Sequence, residues 1–162
     1  MLARSRTSGV AIDTQLLLLL WIGGFDRELI GQFKRVNQYV ATDYDLLLAL
    51  VAACPKLVTT PNVLPEVVNL AGQLRSQLAV EFREELRQTI PKWEERLFSS
   101  HERMHDECFV RLGLTDATLE ELARQNVLVL TDDFPLYGSL MDQGLPAINF
   151  THLRAEAYHW PA

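Results

Sequence analysis

The chain predicts an α/β fold, a three-layer α/β/α arrangement around a central, mainly parallel sheet of four to five strands. Three observations carry that expectation. The run Val127-Leu128-Val129-Leu130 has four consecutive apolar residues, two of them β-branched, and reads as a strand buried on both faces. Strand-length segments recur at 10–12, 56–60 and 147–150. Between them lie stretches of helical length, and such alternation implies parallel strands joined by right-handed helical crossovers.

Composition sets the outer bounds. At 162 residues, 48% hydrophobic and 22% charged, the chain reads as a single domain, 1–162, with a core over about 9–150 and short tails. The net charge of −6 argues against a general phosphate-binding surface. It leaves a nucleic-acid enzyme open, because a carboxylate cluster that holds divalent ions is itself negative. Two cysteines, Cys54 and Cys108, fit a reducing compartment without disulfides. Arg4 and Arg6 precede an apolar run as in a signal peptide. Asp13 interrupts that run, however, and 16–22 falls short of the roughly 20 residues needed to span a bilayer. A cytoplasmic protein without a membrane partner is expected.

Taken in order, 1–8 is polar, and 10–12 is a strand ending at Asp13-Thr14. Residues 15–22 are apolar almost all round, which predicts a buried helix stopped by Gly23-Gly24. Segment 25–40 is mixed and amphipathic, with Arg27, Lys34 and Arg35 as its cations. Thr42-Asp43-Tyr44-Asp45 is spaced as a cap for an apolar helix over 46–53, which Pro55 ends. A strand over 56–60 leads to Pro61-Asn62 and a helix that carries Glu66. Residues 76–87 and 91–98 form an amphipathic pair broken at Pro91, with charges that pair along a solvated face. Thr115 or Asp116 can cap a helix over 117–125. The strand 127–130 runs into Thr131-Asp132-Asp133, a helix over 134–141 follows, and 147–150 is the last strand. The tail 151–162 carries no signal.

Acids recur where ligands bind in open α/β sheets, outside the carboxyl ends of the strands. Asp13 and the Asp132-Asp133 pair follow strands, while Glu66 and Asp116 stand near helix starts. Each has an ordinary explanation as a helix cap or dipole partner. Together, in Val10-Ala11-Ile12-Asp13-Thr14, Pro61-Asn62-Val63-Leu64-Pro65-Glu66, Leu112-Gly113-Leu114-Thr115-Asp116-Ala117 and Val129-Leu130-Thr131-Asp132-Asp133-Phe134, they resemble the PIN-domain nuclease family over nearly the whole chain. The resemblance implies a PIN-like fold and a metal-dependent ribonuclease that leaves a 5′-phosphate and a 3′-hydroxyl. It also implies four catalytic, metal-holding acids, Asp13, Glu66, Asp116 and Asp133, with Asp132 as alternate ligand. Many members are toxins neutralised by an antitoxin, although the stretch from Glu66 to Asp116 is long for a compact toxin.

Hard cations such as Mg2+ or Mn2+ prefer such oxygen ligands. Clustered carboxylates repel one another, so at least one should have a raised pKa without metal. Thr14 and Thr131 are expected supports. Arg27, Lys34, Arg35 and Arg111 are candidate contacts for an RNA substrate. A homodimer is a further expected partner, through the apolar segments 16–22 and 46–53. Two rivals stand beside the nuclease: a catalytically silent PIN-like binding or regulatory module, and a zinc hydrolase. The second would use His101-Glu102-Arg103-Met104-His105, which matches the pattern of two histidines flanking a glutamate on one helix turn. Its polar surroundings favour a surface helix with paired charges.

Overall fold

The computed structural model describes residues 7–159, so the polar stretch 1–6 lies outside the described residues. A strand β1 (Val10–Ile12) leads into helix α1 (Thr14–Phe25), a short α2 (Glu28–Gln32) and α3 (Ala41–Ala52). Then come β2 (Val58–Thr59), α4 (Val63–Ala71), α5 (Ser76–Thr89), a 3-10 turn at Ile90–Lys92 and β3 (Glu94–Glu95). Short helices α6 (Ser100–Arg103) and α7 (Glu107–Leu112) precede α8 (Leu114–Arg124). The chain continues through β4 (Leu128–Thr131), α9 (Phe134–Asp142), β5 (Ala147–Asn149) and α10 (Phe150–His159).

The fold is mixed α/β. Its main sheet has three parallel strands in the order β1-β4-β5, with Ile12 opposite Leu130 and Thr131 opposite Asn149. This register sets Asp13, one residue past β1, beside the end of β4, where its amide donates to the Leu130 carbonyl at 3.0 Å. A separate parallel pair, β2-β3, touches β1 through a single bridge between Val10 and Leu57. The core is one continuous cluster around Leu16, Leu17, Leu18, Leu19, Ile22, Val129, Leu130 and Phe150.

Several elements depart from expectation for identifiable reasons. The glycines 23 and 24 do not stop α1, which runs on to Phe25. A Cβ on Gly23 would collide with the ring of Tyr44, so this residue permits the close crossing of α1 and α3. Helix α3 starts at Ala41, and Asp43 lies inside it, accepting from the Val40 amide at 2.9 Å. Residues 33–39 form successive turns, in which Val36 donates to the Phe33 carbonyl and Tyr39 to that of Val36. A three-residue turn repeats its side chains every third position, which puts Phe33, Val36 and Tyr39 together in the core.

The second member of the amphipathic pair is not helical. Trp93 stacks on Trp21 with ring centroids 5.1 Å apart, and Glu94 and Arg96 donate their amides to the Leu57 and Thr59 carbonyls. Backbone pairing to β2 thus replaces the helical bonds. Helix α8 begins at Leu114, after Gly113 at φ +102°, a conformation that suits glycine. Neither Thr115 nor Asp116 is therefore the cap, and Asp116 lies in the first turn with its carboxylate not committed to capping. Among the described residues no helix is long and apolar enough to cross a membrane.

Candidate active site

Asp13 is the most constrained of the acids. It is 6% exposed. Its Oδ1 accepts from the Leu16 amide at 2.8 Å, which caps α1. Its Oδ2 accepts from the Thr131 hydroxyl at 2.5 Å and the Asp132 amide at 2.8 Å. Burial pushes its pKa up, and these three donors pull against the shift. The capping role and the site role therefore coexist in one carboxylate. A carboxylate offers about four lone-pair positions, so three donors leave one for a further partner.

Glu66, exposed on the first turn of α4, reaches two hydroxyls from opposite ends of the sequence. Thr14 donates to its Oε2 at 2.7 Å and Thr115 to its Oε1 at 2.5 Å. These bonds tie α4 to the starts of α1 and α8. Asp133 caps α9 by accepting from Leu136 at 2.8 Å, and its own amide donates to the Thr131 hydroxyl at 2.9 Å. Thr131 therefore passes one hydroxyl between Asp13 and Asp133.

Asp116 feels the charge of the other three acids. Its pKa is pushed up to about 7, by burial first and then by the charges of Asp133, Asp13 and Glu66. No hydrogen-bond donor figures among the causes of that shift. Residues spread over 120 positions of sequence thus act on one carboxyl group. A carboxylic acid titrating near neutrality is what mutual repulsion and partial desolvation produce where no cation offsets them.

Asp132 is arranged differently. Its Oδ2 accepts from the Tyr39 hydroxyl at 2.7 Å and its Oδ1 from the Thr151 hydroxyl. Tyr39, buried and facing this charge, has its pKa raised, by burial first. With both oxygens engaged, Asp132 acts on the site chiefly through its amide, which holds Asp13. Tyr39, Thr115 and Thr151 were not legible as site residues. Only Thr115 had a local signal, as the neighbour of Asp116.

A cleft of about 370 Å3 is lined by Asp13, Asp132 and Asp133 together with Gln15, Lys34, Arg35 and Gln38. Lys34 and Arg35 of the expected cations therefore border the acids. Arg35 is oriented by Gln73, which accepts from its Nε at 3.1 Å, and its carbonyl accepts from the Gln15 amide group. Arg27 instead pairs with Asp45 at 2.6 Å and lies over the Tyr44 ring. Arg111 lines a different cavity, with Glu120 and Arg124.

Carboxylate oxygens are the ligand type that hard divalent cations prefer. Among the described residues, no group of three or more His, Cys, Asp or Glu side chains is placed so that it could hold a metal ion. Asp13, Glu66 and Asp133 are turned toward the protein donors named above. The histidine pattern lies elsewhere. Helix α6 ends at Arg103, so His105 falls beyond it, and His101, Glu102 and His105 are all exposed. Arg103 pairs with Asp106 at 3.0 Å and Glu121 at 2.7 Å, so charges are paired there as expected, but these side chains are half-buried and not on the open surface. Compared with known proteins, the chain matches no protein-family model and no curated protein closely enough to count as a relative.

Proposed function

We propose that the chain is a Mg2+- or Mn2+-dependent endoribonuclease of PIN-like fold, with Asp13, Glu66, Asp116 and Asp133 as its metal-holding acids. The carrying observation is the hydroxyl network, in which Thr131 links Asp13 to the Asp133 amide while Glu66 accepts from Thr14 and Thr115, the sequence neighbours of Asp13 and Asp116; the raised pKa of Asp116 accords with it. In support of the finer fold, the Val10–Leu57 bridge can be read as joining both sheets in the order β3-β2-β1-β4-β5. That reading gives five parallel strands within a three-layer arrangement.

In this reading a divalent ion held by these acids would lower the pKa of an attacking water and offset charge on the phosphodiester. The protein's own residues prepare that chemistry. Leu16, Thr131 and the Asp132 amide hold Asp13 in one orientation, and Thr14 and Thr115 hold Glu66. Asp116 would hold the cation in its deprotonated form, which would make occupancy pH-dependent. Lys34 and Arg35, on the cleft wall, would receive the phosphates flanking the scissile bond. An antitoxin and a second copy of the chain are partners consistent with this reading.

The test is cleavage of a mixed RNA substrate after chelation and Mn2+ addition. Asp116→Asn and Asp13→Asn are each expected to lower the rate about a hundredfold or more, since a lost metal ligand removes several kcal/mol of charge stabilisation. Asp116→Asn cutting at the wild-type rate would overturn the assignment. A folded protein that cleaves no RNA with any divalent ion would leave a binding module, and zinc retained at one equivalent through purification would favour the histidine site.

A further inference from the structure

A second cavity, of about 410 Å3, is lined by residues of α7, α8 and α9 and shares none with the acid cleft. Its floor is closed by pairing within the protein. Glu120, 2% exposed, accepts from the Arg124 guanidinium and the Ser139 hydroxyl. The Gln143 amide group donates to the Ser139 carbonyl at 3.1 Å, and its oxygen accepts from Arg124. Burial pushes the pKa of the Cys108 thiol up to about 12, so the thiol adds no charge. On the rim, Asp106 is paired with Arg103, and the His105 ring is set against that of His101. Three exposed rim charges remain, Glu107 and Arg111 on α7 and Asp142 on α9. Among the described residues, no ion pair or side-chain hydrogen bond engages any of these three.

Helix electrostatics account for two of them. Glu107 in the first turn of α7 and Arg111 in its last turn each suit the dipole of their own helix. Asp142 does not. It is the final residue of α9, where the dipole is negative and no basic residue stands in the last turn. An acid there is unfavourable unless a cation faces it, and the described residues supply none. We propose that this cavity binds a basic α-amino acid, with its carboxylate on Arg111, its α-ammonium on Glu107 and its side-chain cation on Asp142. The rim offers one positive and two negative charges, and free arginine or lysine carries the complementary set. Residues four apart on a helix share a face, so Glu107 and Arg111 can meet the two groups borne by one Cα. Asp142 stands apart from them on α9, as the length of a basic side chain requires. The volume falls within the range of small-molecule sites. This site is independent of the nuclease reading.

The experiment is isothermal titration calorimetry of the full chain, at about 0.15 M salt so that general charge attraction is screened. Saturable binding of L-arginine and of L-lysine is expected. Agmatine lacks the carboxylate, N-acetyl-L-arginine the α-ammonium and L-citrulline the side-chain charge. Each should bind about tenfold more weakly than L-arginine, as loss of one charged hydrogen bond implies. Arg111→Ala, Glu107→Gln and Asp142→Asn should each weaken L-arginine binding to a similar degree. Each variant should keep wild-type affinity for the one analogue that lacks the matching group. All three positions are exposed, and the analogue series on the wild type decides the matter even if a variant melts early. No heat of binding with either amino acid at about 10 mM, or any analogue that binds as tightly as L-arginine, would overturn the site. So would an Asp142→Asn protein that binds L-arginine as the wild type does.

Discussion

The molecule buries acids in two ways, and the contrast is informative. Asp43, fully inaccessible, is answered by the Arg154 guanidinium at 2.8 Å and by the Tyr158 hydroxyl. Glu120, 2% exposed, has Arg124 at 2.5 Å and the Ser139 hydroxyl at 3.1 Å. Each of these carboxylates is closed by an arginine, and each serves packing. At the end of the main sheet the pattern changes. Asp13, Glu66 and Asp133 accept from hydroxyls and backbone amides, and their charges help to raise the pKa of Asp116. The chain can supply a buried cation where structure requires one. The partners it gives Asp13, Glu66 and Asp133 are neutral instead, a difference that supports the proposed cation site.

The largest effect should come from breaking the closed type. Arg154→Ala leaves Asp43 without its cation in the interior and is expected to cost about 3–5 kcal/mol of unfolding free energy, read by urea denaturation. A loss under about 1 kcal/mol would mean that the arginine is ornamental and that the contrast fails.

The open type should respond in the opposite sense. A carboxyl with a raised folded pKa contributes stability that is fully present below its unfolded value and lost as pH rises through the folded one. For Asp116 that window runs from the ordinary 3.8 to about 7. Without divalent ions, Asp116→Asn should therefore stabilise the protein at about pH 8, by on the order of 2 kcal/mol, and do little at about pH 4. Added Mn2+ should raise the wild-type melting temperature more at about pH 8 than at about pH 5.5, because fewer protons must be displaced. A pH-independent Mn2+ effect would argue that Asp116 does not meet the ion.

The smallest effect tests the support. Tyr39→Phe removes one donor from Asp132 and leaves the ring in place. It should weaken Mn2+ binding about tenfold, as the loss of outer-shell partners does, with calorimetry as the readout. Tyr39→Phe with wild-type Mn2+ affinity would detach Asp132 from the site.

Elements with a strong local pattern were readable in the sequence. The strand at 10–12 is β1 residue for residue, and 127–130 anticipates β4 with a shift of one, because buried apolar runs leave few alternatives. The positions of the four proposed acids could be read in the same way, since each sits at the end of a patterned element. The supporting shell was not. Thr151 meets Asp132, Tyr39 meets Asp132 across 93 positions, and Arg154 meets Asp43 across 111. No local periodicity encodes such pairs. The tail carried no signal because α10 has no strongly one-sided apolar stripe. Its fixed points are Phe150, buried in the core, and the polar contacts of Thr151 and Arg154. The segment at 91–98 misled because Pro91 and charged residues suit a helix start as well as a turn. Its pairing with β2 depends on a strand more than thirty positions earlier.

The bond between Thr131 and Asp13 joins residues 118 positions apart. Asp13 is therefore held in its orientation only once distant segments have folded together, and the Thr151 hydroxyl on Asp132 comes from farther along still.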